Sequence, residues 1–264
     1  MSAIVAYEAP KASFVFTDGA VYDVDGRLTR MNRKVTVSNK VPLAIASRGN
    51  AGLGQILVEG LLERIEADGF DKAMSMFEAE LPELMASVDD AGTLFHTQVF
   101  IAGLSETHGI RNVFFQIPGS DRWPSDKIHH QPDFFTGLNC DEGLTLDDMG
   151  VRPVRDGDVF HEWIRDAGLS MMQFARKNPK PSPYFEGLFS STGGHVDMTT
   201  VTAQGVKVDT IHRWDDTVGE LIDPTKDRPI AKVIPIMPPA IAGMSRQQRR
   251  AMKAASRQNR KRVA

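Results

Sequence analysis

The sequence of 264 residues has little of two features that mark large classes of proteins: it contains one cysteine, Cys140, and no long apolar run. A single cysteine excludes an intramolecular disulfide framework and a cysteine-rich zinc site, and it is typical of a reducing compartment. No segment approaches the roughly 18 apolar residues of a membrane-spanning helix, and the N-terminus lacks the basic start and apolar core of a secretory signal. We therefore expect a cytoplasmic protein with no membrane partner, whose fold depends on its apolar core.

Acidic residues are missing from residues 244–264, a segment with eight basic residues and a formal charge of +8, which we call the basic tail. The rest of the chain keeps 23 basic residues against 34 acidic ones, a formal charge of −11. Such a tail either binds a polyanion such as nucleic acid or docks on the acidic body of a neighbouring subunit. It has no aromatic residue on which a base could stack, and both readings stay open.

Hydrophobic periodicity predicts strands in the first half of the chain, interrupted by two helices. Four short runs, 4–7, 13–17, 34–38 and 41–47, predict a four-strand meander, with turn chemistry between Gly19 and Gly26. Apolar residues at helical spacing then predict helices over 51–68 and about 71–88. Runs 93–104 and 110–117 predict the strands of another sheet.

The second half has fewer regular segments. Residues 118–144 show no periodicity, residues 158–176 have the spacing of a helix, and 196–202 with 206–211 predict a hairpin around Gln204-Gly205. These elements divide the chain into a domain at 2–215, an extended Pro-rich arm at 216–243 and the basic tail.

Motifs in the first 50 residues share a fixed spacing. They are Ser2-Ala3-Ile4-Val5-Ala6, Phe16-Thr17-Asp18-Gly19, Arg33-Lys34-Val35 and Ala46-Ser47-Arg48-Gly49. Asp18 follows Ser2 by 16 residues, and Lys34 follows Asp18 by 16. This pattern resembles proteasome β-type subunits and their bacterial relatives, N-terminal nucleophile hydrolases in which an N-terminal Thr is followed at those spacings by an Asp and a Lys. The resemblance continues to Gly193-Gly194-His195 and covers roughly residues 2–212.

The resemblance implies an α+β fold, a four-layer αββα sandwich of two antiparallel sheets. It implies a threonine/serine-type peptidase that acts without a cofactor, within a homo-oligomeric assembly, on a peptide or protein substrate. Ser2 becomes the nucleophile once Met1 is removed, with Lys34 and Asp18 as its catalytic partners. The backbone at Arg48 and Gly49 forms the oxyanion hole, and Thr192 replaces a supporting serine.

The chemistry of this set of residues is simple. A serine hydroxyl is a weak nucleophile until a base takes its proton, and a free α-amine with a pKa near 8 can do so on the same residue. The ammonium of Lys34 would lower the pKa of that amine, and Asp18 would hold Lys34 charged and in place.

Two departures from the family pattern favour an alternative function. Phe189 stands about where the family has a supporting Asp, and the irregular segment 135–138 replaces a Gly-Ser-Gly loop. The alternative is a catalytically inactive scaffold or assembly protein that keeps the fold and uses its basic tail to bind a polyanion or a neighbouring subunit.

A metal site is the remaining chemical alternative. His129 and His130, with His161, Asp133, Cys140 and Asp141 nearby in sequence, include ligand types that suit zinc. Adjacent histidines on an extended chain point to opposite sides, so we expect a loop without a metal.

Overall fold

The computed structural model describes residues 3–90, 96–118, 120, 123–138, 143–181 and 187–227. The helices are α1 (Ala51–Asp68), α2 (Phe70–Asp90) and α3 (Phe160–Lys177), with a short 3₁₀ turn at Pro224–Lys226. The strands are β1 (Ile4–Ala9), β2 (Ala12–Asp18), β3 (Ala20–Tyr22), β4 (Leu28–Met31), β5 (Val35–Val37), β6 (Leu43–Gly49), β7 (Thr97–Ser105), β8 (Gly109–Ile117), β9 (His129–His130), β10 (Asp133–Gly137), β11 (Lys180–Pro181), β12 (Leu188–Phe189), β13 (His195–Thr202) and β14 (Gly205–Arg213).

Two antiparallel sheets of five strands contain most of these elements. The first sheet has the order β10-β1-β2-β13-β14, and the second has the order β5-β6-β7-β8-β9. Two small two-stranded sheets, β3-β4 and β11-β12, complete the described strands. The chain is therefore a mixed α/β protein in which every described strand pair is antiparallel.

Alternation along the strands decides which side of each sheet a residue faces. In β2, Phe14 and Phe16 pack in a cluster with α3, whereas Val15 packs in a cluster that both sheets share. In β6, Ile45 packs with α1 and α2, whereas Ala44 lies in the shared cluster. Residues of α3 therefore share an apolar cluster with the first sheet, residues of α1 and α2 share one with the second, and a third cluster contains residues of both sheets.

The predicted four-strand meander is wrong. Strands β1 and β2 belong to the first sheet, and β5 and β6 belong to the second. Strand β1 pairs with one edge of β2, and β13, from far along the chain, pairs with the other edge, with Asp18 opposite Val196. The predicted separate sheet over 93–117 is wrong too, since β7 pairs with β6 along Leu43–Gly49.

Two segments without strand periodicity nevertheless form strands. Part of the predicted turn at 19–26 is β3, which pairs with β4, and the non-periodic middle contains β10, which pairs with β1. Both strands are short and depend on a partner for their backbone hydrogen bonds, so their own sequences carry little periodic signal.

The first residues of the predicted arm, 216–227, are described by the structure and pack on the rest of the domain. Ile222 is buried in a small cluster with Ala20 and Leu28. Residues Met1–Asp227 form one compact unit, and the remainder of the predicted arm and the basic tail lie outside the described residues. No helix among the described residues combines the length and the apolar composition that a membrane crossing requires.

Candidate active site

The carboxylate of Asp18 lies at the end of β2 and is fully buried. Its Oδ1 accepts hydrogen bonds from the backbone N–H of Ala3 at 3.0 Å and from Nζ of Lys34 at 2.8 Å. Its Oδ2 accepts from the backbone N–H groups of Ala20 at 3.1 Å and Gly193 at 3.3 Å. Three backbone donors and one cation therefore hold this carboxylate, which suits a group that must orient a lysine.

Lys34 directly precedes β5 and connects the second sheet with Asp18 on the first. Its side chain is 10% exposed. Burial lowers the pKa of Lys34 below its ordinary value, and the negative charge and hydrogen bond of Asp18 oppose that decrease without cancelling it. A buried lysine with a lowered pKa and one carboxylate partner is a frequent feature of catalytic sites.

Ser2, the predicted nucleophile, lies outside the described residues. Its neighbour Ala3 is buried, and the backbone N–H of Ala3 is bound to Asp18. The peptide bond between Ser2 and Ala3 thus ties the start of the chain to the carboxylate that also binds Lys34.

The predicted oxyanion residues, Arg48 and Gly49, end β6, the strand that pairs with β5 beside Lys34. Gly49 has a φ of +101°, and a Cβ there would lie 1.8 Å from the carbonyl oxygen of His96, so only glycine fits. The guanidinium of Arg48 donates a hydrogen bond to the carbonyl oxygen of Gly137, at the end of β10. Arg48 therefore links the ends of the two sheets, a side-chain role that its predicted backbone function did not include.

Thr192 is buried in the loop before β13, next to the glycine that binds Asp18. Its carbonyl oxygen accepts hydrogen bonds from Nη1 of Arg176 at 3.1 Å and from Oγ of Ser190 at 3.3 Å. Phe189 is buried with its ring 5.3 Å from that of Tyr22. This loop thus contacts Asp18 through its backbone.

Gly19 and His195 approach each other closely beside Asp18. A Cβ on Gly19 would lie 2.2 Å from Cε1 of His195, and the N–H of Gly19 donates to the carbonyl oxygens of Gly193 at 3.0 Å and His195 at 2.9 Å. The glycine in the Asp-Gly motif is therefore required by the imidazole that covers it. Nδ1 of His195 has no hydrogen-bond partner among the described residues.

Several participants in this site were not identified from the sequence. The N–H of Gly193 binds Asp18, and Arg176 and Asp216 hold the loop around it. The Gly-Gly pair was visible as a motif, but a backbone donor leaves no side-chain signal. Arg176 lies in the last turn of a helix with a regular apolar stripe, a position where a positively charged residue is common and indicates no special role.

The histidines considered as metal ligands have other partners. His130 lies 3.1 Å from a carboxylate oxygen of Glu8, and Nε2 of His129 lies 2.8 Å from the carbonyl oxygen of Pro124. Within the part of the chain that the structure describes, no group of three or more His, Cys, Asp or Glu side chains could hold a metal ion.

Comparison with known proteins identifies the fold. The sequence matches no protein-family model and no curated protein. The structure is similar to that of Anbu (ancestral beta-subunit) from Yersinia bercovieri, with a TM-score of 0.54 and 15% identity, covering 79% of this chain and 87% of that one. At this identity the likeness shows a proteasome-like fold and leaves the activity to be argued from the residues.

Proposed function

We propose that this protein is an N-terminal nucleophile hydrolase that cleaves peptide bonds with Ser2. The observation that carries the proposal is the double hydrogen bond at Oδ1 of Asp18, which joins the N–H of Ala3 to the ammonium of Lys34. The start of the chain and a buried lysine share one carboxylate oxygen, which is the arrangement that an N-terminal serine needs for activation. The proteasome-like fold supports the same reading.

The proposal includes the full architecture, a four-layer αββα sandwich. The helix clusters on the outer faces of the two sheets and the apolar cluster between the sheets support this arrangement. In it, the ends of β2, β6 and β10 meet at one end of the inner core, where the polar residues Asp18, Lys34 and Arg48 are found.

Catalysis requires Ser2 to be the first residue of the mature chain. Its α-amine takes the hydroxyl proton while Oγ attacks the carbonyl carbon of the scissile bond, and the backbone N–H groups of Arg48 and Gly49 stabilise the oxyanion. Collapse of the tetrahedral intermediate breaks the C–N bond, and the ammonium of Ser2 gives its proton to the leaving amine. The same amine then takes a proton from a water molecule, whose oxygen attacks the carbonyl carbon of the acyl ester. The C–Oγ bond breaks, and the ammonium of Ser2 returns the proton to Oγ.

Lys34 and Asp18 act on the amine of Ser2. The ammonium of Lys34 disfavours a second positive charge nearby, so it keeps the α-amine in its basic form near neutral pH. Asp18 keeps Lys34 protonated against the effect of burial, which lowers the pKa of that lysine. Lys34 is thus the electrostatic partner of the base.

The first experiment uses a peptide epoxyketone, which reacts with an amine and a hydroxyl on the same residue. Intact mass should show a chain that begins at Ser2 and gains one adduct. Ser2→Ala and Lys34→Ala should each abolish labelling and peptide hydrolysis while the protein remains folded. The matched controls are Ser75→Ala and Lys72→Met, both at exposed helix positions. Wild-type turnover in either active-site variant would refute the catalytic assignment.

The inactive scaffold remains the second candidate, because Phe189 offers no hydrogen-bond acceptor where the family has an Asp. A chain that begins at Ser2, is folded and oligomeric, and takes up no epoxyketone would establish it.

We extend the proposal to assembly. A homo-oligomer would enclose the site, and the basic tail would dock on the acidic body of a neighbouring subunit or recruit a nucleic acid. Truncation after Gly243 should leave Ser2 labelling intact. Light scattering of the full and truncated chains tests docking on a neighbouring subunit, and nucleic-acid binding at two salt concentrations tests the polyanion. A truncated chain that binds nucleic acid as tightly as the full chain, or two chains that both fail to bind, would exclude nucleic acid as the partner of the basic tail and favour subunit contact. A monomer across a wide concentration range would exclude assembly.

A further inference from the structure

A second buried ionic cluster contacts the loop before β13, which binds Asp18 of the candidate active site. Arg176, near the end of α3, has a side chain that is 1% exposed, between the carboxylates of Asp216 and Asp227, which are 5% and 15% exposed. Nη1 and Nη2 of Arg176 donate to the two oxygens of Asp216 at 3.0 and 2.8 Å. Nε and Nη2 donate to Asp227 at distances between 2.7 and 3.0 Å, and the guanidinium lies 4.7 Å from the ring centroid of Trp214.

The cluster is joined to the loop before β13 at two backbone atoms. Nη1 of Arg176 donates to the carbonyl oxygen of Thr192 at 3.1 Å, and Oδ2 of Asp216 accepts from the N–H of Gly194 at 2.7 Å. The residue between these two anchors is Gly193, whose N–H binds Asp18 and whose carbonyl accepts from Gly19. The anchors therefore define where the Gly193 donor points.

The ion pair of Arg176 and Asp216 packs closely against Gly193. A Cβ on Gly193 would lie 2.7 Å from Oδ2 of Asp216 and 3.1 Å from Nη1 of Arg176. The peptide that binds Asp18 thus packs directly on the ion pair, so a movement of the pair must move the peptide.

We propose that Arg176 and Asp216 are positioning residues for the active site: through Thr192 and Gly194 they fix the Gly193 N–H that orients Asp18, and Asp18 in turn orients Lys34. The inference rests on the proposed function for its catalytic consequence. It assigns a role in the reaction to Asp216, in the segment after β14, which the sequence predicts to lie outside the hydrolase domain. Neither residue touches the reacting atoms.

The test uses Asp216→Asn, which keeps the volume of the side chain but replaces one of its two acceptors with an amide. Oδ2 of Asp216 accepts from both Gly194 and Nη1 of Arg176, and Oδ1 accepts from Nη2 of Arg176. In either orientation of the variant, the amide NH₂ therefore faces a donor, either Nη2 of Arg176 or the N–H of Gly194 with Nη1. The control is Arg152→Gln, which breaks the ion pair of Arg152 with Asp158, close to the other end of α3. Arg176→Lys is the second variant, since lysine keeps the charge and loses the planar set of donors.

The first readout is the rate of epoxyketone labelling as a function of pH, per folded molecule. Displacement of Asp18 should slow labelling by about 10-fold to 100-fold and shift the pH profile, because the field of Lys34 at the α-amine changes. A purely structural role would lower the amount of folded protein and leave the profile in place. Unchanged rate and profile in Asp216→Asn would overturn the inference while leaving the proposed function intact.

The second readout does not require activity. A crystal structure of Asp216→Asn should show the Gly193 N–H displaced from Oδ2 of Asp18, whereas Arg152→Gln should retain that bond. Should the wild-type protein fail to label, the proposed function fails and the crystal structure alone decides the inference. An Asp18–Gly193 bond that survives in the variant would overturn it. If Asp216→Asn does not fold, Arg176→Lys is measured by both readouts with the same criteria.

Discussion

Lys34 and Arg176 are two buried cations among the described residues, and burial affects their pKa values with opposite net results. Lys34 pairs with the carboxylate of Asp18, and burial lowers the pKa of Lys34 below the ordinary value. Burial alone would also lower the pKa of Arg176, but hydrogen bonds to Asp227 and Asp216 raise it above the ordinary value. The pKa of Lys34 is thus adjusted by its surroundings, whereas Arg176 stays charged and holds its two carboxylates in place.

Burial is the largest influence on both pKa values, and the carboxylates that oppose it differ in their other contacts. The carboxylate of Asp18 also accepts from the backbone of Ala3, Ala20 and Gly193, so its charge is divided among several donors. Arg176 faces two carboxylates with all three of its nitrogens engaged. A planar guanidinium, with donors on three nitrogens, suits such a double pair.

The largest expected effect in this comparison is on stability, with Arg176→Met. The substitution leaves two carboxylates buried without their cation, and we expect the free energy of unfolding to fall by about 3–5 kcal/mol, measured by urea denaturation. Arg152→Met, which breaks an exposed pair, should change it by about 1 kcal/mol or less. Equal losses in the two variants would show that the Arg176 cluster is not an anchor.

A smaller effect is expected from Asp227→Asn, which leaves Arg176 its bidentate pair with Asp216. The loss of one charged acceptor should lower the free energy of unfolding by about 1–3 kcal/mol and leave the epoxyketone pH profile unchanged, since Asp227 has no described bond to the loop before β13. Asp223→Asn is the control in the same segment, because the side chain of Asp223 caps the 3₁₀ turn and asparagine can do the same. A shifted pH profile in Asp227→Asn would contradict the separation of anchor and site.

The smallest expected effect is the pH dependence of Lys34. Because burial lowers its pKa, the unfolded chain keeps the lysine proton up to about 10.5 while the folded protein releases it at lower pH. Between those values the unfolded state binds more protons, so stability rises with pH. The difference in unfolding free energy between wild type and Lys34→Met should therefore shift in favour of wild type as the pH rises toward 10.5, by at most about 1.4 kcal/mol per pH unit.

Lys72→Met serves as the control for that titration, because Lys72 is 64% exposed in its pair with Asp68. Its difference from wild type should not follow the same curve. If the difference in unfolding free energy for Lys34→Met stays flat or falls as the pH rises, Asp18 raises the pKa of Lys34 more than burial lowers it. Lys34 would then resemble Arg176, whose carboxylate partners raise its pKa.

The parts of the fold that could be predicted are those with a local pattern. Apolar residues at helical spacing correctly indicated α1, and alternation around Gln204-Gly205 correctly indicated the hairpin of β13 and β14. The spacing of Asp18 and Lys34 pointed to a shared role, and their side chains lie 2.8 Å apart. The catalytic roles of these residues stay predictions.

The parts of the fold that were predicted wrongly are those that depend on which strands pair with each other. Strand β10 carries Phe134 and Phe135 in succession, without alternation, and is a strand because β1 supplies its hydrogen bonds. The meander failed because adjacency in sequence says nothing about which sheet will accept an open strand edge. Arg176 could not be identified as part of the site, because its partners come from positions 192, 216 and 227.

The sequence by itself determined the periods of its helices and hairpins, the glycine beside Asp18, and the register that places a carboxylate and a lysine 16 residues apart. Only the tertiary structure decided that these groups meet a backbone donor 175 residues away, on a loop held by a buried arginine. The physical reason is that periodicity reflects which face of one element is buried, whereas the position of a backbone N–H depends on contacts between distant segments that no local pattern encodes.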